Sequence, residues 1–157
     1  MTEEQLINQG TKAEQYTGLL PQIAGLTAGE TDLIANLANI TGALKAQFNW
    51  LWIGFYLVKN DELVLGPFQG PIACTRIQKG RGVCGTAWAN ADTLIVDDVE
   101  KFPGHIACSS LSRSEIVVPV IRDNEVVAVL DADSEELRAF DETDKRFLEM
   151  VVSGIEW

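Results

Sequence analysis

Apolar positions recur every three or four residues toward both ends of the chain and every second residue through its middle, a pattern that predicts helices flanking a sheet. Residues 2–26 read as a helix broken or loosened near Gly18 and Pro21. Thr27-Ala28-Gly29-Glu30 fits a capping box, and Leu33, Leu37, Ile40 and Leu44 then share one face, which predicts an amphipathic helix over 28–46. Near the other end, Asp141 can cap a helix in which Phe147, Val151 and Ile155 return at every fourth position.

Between these helices, Trp50 to Val58 is a nearly continuous run of aromatic and β-branched residues, as expected for a strand covered on both faces. Alternation puts Leu51, Ile53, Phe55 and Leu57 on one face and Trp52, Gly54 and Tyr56 on the other. Further strands are predicted at 63–65, 73–77, 93–96, 116–121 and 126–132, with Asp123-Asn124 turning the last two into a hairpin. Val83 to Asn90 reads as a short helix entered through Gly80, Gly82 and Gly85. The fold class that follows is α+β, with a mostly antiparallel central sheet and helices packed on its faces.

The length of 157 residues suits one domain over 1–157, residues 1–27 being an N-terminal helical segment. Hydrophobic residues at 46% with 22% charged place the chain among globular proteins rather than disordered ones. Twelve Lys and Arg against 23 Asp and Glu, a net charge of −11, argue against nucleic acid or an anionic membrane surface as a partner. The chain opens on an acidic stretch and carries no apolar run of the ~18 residues a membrane span requires, so a cytoplasmic protein is expected.

Three cysteines, Cys74, Cys84 and Cys108, lack the paired pattern of a secreted disulfide scaffold and stand as buried residues, metal ligands or redox-active thiols. With His105 they could make a Cys₃His zinc set, but their spacings lack the paired knuckles of structural zinc sites, and no metal is expected. His105 itself reads as a loop histidine. Gly80-Arg81-Gly82-Val83-Cys84-Gly85 matches G-x-G-x-x-G, yet the strand-rich middle offers no βαβ unit for a dinucleotide; free amides at that helix start can still hold a carboxylate. Trp52 and Tyr56, with the gap at Gly54, either wall a small-ligand pocket or pack beneath a helix. On the last strand Val127, Val129, Asp131 and Asp133 share a face, bringing two carboxylates to roughly 6–7 Å spacing, either as a site or as a solvated strand end. Glu115 opens the neighbouring strand. A regular ladder through the Asp123-Asn124 turn would set it opposite Ala132, facing away from both aspartates. Bringing all three acids together therefore requires a one-residue bulge, for which Pro119 is a plausible place, or an odd-length loop.

Several stretches in order resemble the free methionine-(R)-sulfoxide reductases, single-domain enzymes of GAF-type fold. They are Trp52-Ile-Gly-Phe-Tyr56, Gly66-Pro-Phe-Gln-Gly70, Gly80-Arg-Gly-Val-Cys-Gly-Thr-Ala87, Phe102-Pro-Gly-His-Ile-Ala-Cys108, Ser114-Glu-Ile-Val-Val-Pro119 and Val129-Leu-Asp-Ala-Asp133. The resemblance spans roughly residues 30–155. It implies that Cys108 is the nucleophile, Cys74 the resolving thiol and Cys84 a secondary partner. It also implies that Trp52, Tyr56, Glu115, Asp131 and Asp133 line the pocket for free methionine-(R)-sulfoxide. No bound cofactor, an external dithiol of thioredoxin type and a homodimer through the N-terminal helices are further implications. One departure is Ser109, which stands where the family usually has an acidic residue. The rival reading is a GAF-type module that senses a small molecule without catalysis.

Overall fold

The computed structural model describes residues 4–106 and 108–157. Helix α1 covers Lys12–Thr27 and begins at a capping box, the Thr11 side chain accepting from the Glu14 N–H while the Glu14 carboxylate takes the Thr11 N–H. The expectation of a helix from residue 2 is thus corrected: its first two positions lie outside the described residues, and 4–11 precede the helix. Gly18 is a crossing point, not a break. A Cβ there would come within 2.0 Å of Asn8 Oδ1, so the segment before the helix lies directly on it. Pro21 sits inside α1, tolerated because Tyr16, Leu19 and Ile23 bury the helix against the core.

Helix α2 covers Leu33–Phe48 and starts five residues later than expected, capped by Asp32, whose carboxylate accepts from the Ala35 N–H at 2.8 Å. Thr27 cannot cap it because it ends α1, its hydroxyl donating to Ile23 O at 3.1 Å. Leu37, Ile40 and Leu44 are buried as their spacing predicts. After α2 come β1 (Trp52–Lys59), β2 (Glu62–Gln69), β3 (Arg76–Gln78), α3 (Gly82–Asn90), β4 (Leu94–Val96), β5 (Ser114–Arg122), β6 (Glu125–Ser134) and α4 (Glu142–Ser153). Asp141 caps α4 as expected.

The strands form one sheet in the order β3-β2-β1-β6-β5-β4, every neighbouring pair antiparallel. Ile53, Phe55 and Leu57 of β1 face the core beneath α1, α2 and α4; Trp52 and Tyr56 face the opposite side, where α3 packs. Leu51 departs from the expected alternation because it precedes β1, and it packs on the Trp52 side.

The β5–β6 hairpin positions the acids. Asp123 and Asn124 both adopt positive φ, 51° and 65°, the left-handed pair that a two-residue turn needs. From that turn Ile121 pairs with Val126, but Val120 pairs with Ala128, leaving Val127 unmatched. This bulge moves the register by one residue, so Glu115 faces Asp133 instead of Ala132. It lies at Val127, just beyond the Pro119–Val129 pair rather than at Pro119 itself. It also turns Val127 to the core side, away from the face that Val129 and Asp131 share.

Candidate active site

Seven residues singled out in the sequence line one cleft between the sheet and α3: Trp52, Tyr56, Cys84, Cys108, Glu115, Asp131 and Asp133; the eighth, Cys74, is not in the lining but is bonded to Cys108 and follows the lining residue Ala73.

Cross-strand pairing brings Glu115 beside Asp133, with Asp131 two residues along β6 on the same face. Asp133 accepts a hydrogen bond from the Ser112 hydroxyl at 2.8 Å. Asp131 is 6% exposed, and its Oδ1 is buried with no hydrogen-bond partner among the described residues. Such an orphaned carboxylate oxygen is costly unless a ligand brings it a donor. Burial pushes the Glu115 and Asp133 carboxyls well above their ordinary range, and the charge on Asp131 pushes both further. Burial raises Asp131 as well, opposed by hydrogen bonds from its neighbours. Three acids in this space cannot all ionise cheaply, so a carboxyl here keeps a proton near neutral pH and can donate it.

Cys84 enters from the first turn of α3, its thiol 4.0 Å from Glu115 Oε2. Burial raises this thiol well above its usual value and the nearby acids add to the rise, so it stays protonated. Cys74 and Cys108 form a disulfide with Cα atoms 5.8 Å apart, and Cys84 is the free cysteine. Trp52 and Tyr56 stack at 5.9 Å, and each is held by its polar end: Trp52 Nε1 donates to Pro71 O at 3.0 Å and the Tyr56 hydroxyl to Cys74 O at 2.9 Å. Gly54 is not a gap in this wall. A Cβ there would lie 2.7 Å from the Trp52 ring and 2.4 Å from Phe68 Cβ, so the space expected for a ligand is filled by those side chains.

At the α3 N-terminus no side chain caps the helix, and the first amide bonded back into it is that of Gly85, to Arg81 O at 3.0 Å. The preceding amides and the Arg81 side chain at the cleft edge make a place for a carboxylate. His105, read from sequence as an ordinary loop histidine, instead borders the cleft with Nε2 3.8 Å from Glu115 Oε1. Burial lowers its proton affinity, so it is neutral near pH 7. Its position three residues before Cys108 was the available signal; Ser112 carried none.

A family model described as the GAF domain matches residues 28–156. The GAF domain-containing protein A of Dictyostelium discoideum is 63% identical over 157 residues, covering 99% of both chains. The free methionine-R-sulfoxide reductase of Escherichia coli (strain K12) is 46% identical over 146 residues, covering 92% of this chain and 88% of the relative. Among solved structures, the free methionine-R-sulfoxide reductase of Neisseria meningitidis in complex with its substrate superposes with a TM-score of 0.95 at 55% identity, covering 97% of this chain and 92% of that one.

Proposed function

This chain belongs to the GAF-domain free methionine-(R)-sulfoxide reductases, and we propose that it reduces free L-methionine-(R)-sulfoxide to methionine. The observation that carries this reading is the Cys74–Cys108 disulfide at the edge of a cleft floored by three acids, Glu115 and Asp131 buried and Asp133 partly so. In the reduced enzyme the Cys108 thiolate attacks the sulfoxide sulfur while a protonated carboxyl of the Glu115–Asp133 pair delivers its proton to the oxygen. Methionine leaves and Cys108 becomes a sulfenic acid. The Cys74 thiol then attacks Cys108 Sγ, releasing water and forming the disulfide. An external dithiol of thioredoxin type returns both thiols by exchange, and no bound cofactor is required.

The preference for the free amino acid follows from two features. Asp131 Oδ1, lacking a partner, takes the substrate ammonium; the open amides of α3, with Arg81, take its carboxylate. A peptide-bound methionine sulfoxide has neither charge to offer. Trp52 packs the methyl-sulfur end, where positive charge develops during attack. Cys84, buried and protonated, is a secondary thiol rather than the resolving one. The chain acts as one cytoplasmic domain and as a homodimer through its N-terminal helical region.

Incubation with the free (R) epimer, the free (S) epimer and a peptide-bound sulfoxide, with dithiothreitol as reductant, tests the reading. Turnover of the free (R) form alone, abolished in Cys108→Ser, is the expected result. Folded, reduced protein that turns over none of the three would transfer the cleft to ligand sensing.

A further inference from the structure

We propose that Cys84, Glu115 and Asp131 also form a binding site for a zinc-type divalent ion, which competes with the sulfoxide for the floor of the cleft. The Cys84 Sγ and one oxygen from each carboxylate all lie within 4.8 Å of one another, and all three residues are buried. Zinc holds sulfur at about 2.3 Å and carboxylate oxygen at about 2.0–2.2 Å, so side-chain movements of roughly an ångström close the set around one ion. Asp131 Oδ1, buried without a partner, independently marks the floor as a place that wants a cation. A thiol among two carboxylates selects a borderline-soft metal over magnesium or calcium, which take oxygen alone. His105 Nε2, 3.8 Å from Glu115 Oε1, is within reach of the fourth corner.

These donors differ from the thiol-rich set considered from the sequence, because Cys74 and Cys108 bond to each other and leave Cys84 to the strands. Binding requires no oxidant: the Cys84 S–H gives its proton to solvent as the sulfur–metal bond forms. The site therefore exists in the disulfide form, where Cys84 is the remaining thiol. Because Asp131 and Glu115 serve both ligands, ion and sulfoxide exclude each other.

The test uses the disulfide form, stripped with chelator and titrated with cobalt(II), whose thiolate complexes absorb in the near ultraviolet. One ion per chain with that thiolate band, bleached by added methionine-(R)-sulfoxide or by zinc, is the expected result. The band should vanish in Cys84→Ser, and binding should weaken about tenfold or more in the near-isosteric Asp131→Asn. No thiolate band in the wild type, or binding equal in both folded variants, overturns the site. Either failure leaves sulfoxide reduction untouched, since turnover is assayed separately.

Discussion

Glu115→Gln is expected to stabilise the protein in proportion to pH, because the wild-type carboxyl is held where its charge is unwelcome. In the unfolded chain this carboxyl titrates near 4.3. In the fold, burial raises it well above that value, with Asp131 and Asp133 adding to the shift. The folded state thus binds the proton more tightly than the unfolded state. Below about pH 4 both states are protonated and Glu115 has no effect. Above it the unfolded chain ionises first, and stability falls by about 1.4 kcal/mol per pH unit until the folded carboxyl also titrates. For a domain of this size that is about 3–5 °C in Tm per unit. Glutamine keeps the shape, removes the titration and relieves Asp131 and Asp133 of a like charge. Thermal unfolding of the disulfide form, followed by circular dichroism in chelator-treated buffers from pH 4 to 8, should give curves that meet at the acid end and diverge above it, the variant higher. Parallel curves, or a variant that melts below wild type at pH 8, would refute the account of a crowded, proton-sharing floor. The same variant should lose turnover, which separates stability from function at this position.

The other end of the molecule offers a structural counterpart: buried Asp144 accepts from the Tyr16 hydroxyl and from Lys12 Nζ, both at 2.6 Å, and ties α1 to α4. Asp144→Ala should cost about 2–4 kcal/mol in a denaturant titration, by leaving a buried hydroxyl and a half-buried ammonium without their partner, while turnover per folded molecule is unchanged. Deleting Val127 should heal the ladder into a regular hairpin with Glu115 still opposite Asp133. Turnover is then retained, at a stability loss of about 1 kcal/mol measured by thermal melting.

Much of this arrangement was legible because its determinants are local. Period-two alternation along β1 separates Ile53 and Phe55 from Trp52 and Tyr56, and the Asp123-Asn124 pair specifies its turn without outside help. The failures fall where a distant residue decides. Gly18 looks like a helix breaker until Asn8 is laid against it, and Thr27 looks like a cap until Asp32 takes that place and Thr27 bonds back to Ile23. The meeting of Glu115 with Asp133 depends on one valine standing outside the ladder when it could have paired, and that valine differs in no visible way from its neighbours. That either a bulge or an odd-length loop is needed could be reasoned from turn length and register; which of the two, and where, could not.

Gly54 shows how a local signal can be read correctly and mean something else, and it yields a prediction that separates the two meanings. As an opening for a ligand, Gly54 would accept alanine with loss of cleft volume and little loss of stability. In the structure the missing Cβ would fall 2.4 Å from Phe68 Cβ, 2.7 Å from the Trp52 ring and 3.0 Å from Phe68 Cα. Phe68 cannot retreat, because it is paired with Gly54 across β1 and β2. Trp52 must therefore swing away, losing its stacking on Phe68 at 5.3 Å and its bond to Pro71 O. Overpacking of this kind costs about 1–3 kcal/mol, or about 2–12 °C in Tm. If Trp52 is the wall proposed to pack the methyl-sulfur end of the substrate, displacing its indole should also raise KM for the free sulfoxide, together with the loss of stability. Gly42→Ala is the control: a Cβ there meets nothing within 4 Å, and in the interior of α2 it should add about 0.5–1 kcal/mol with KM unchanged. A Gly54→Ala protein as stable as wild type would show that the space is free after all; one that is destabilised but keeps its KM would show that Trp52 does not form the substrate wall.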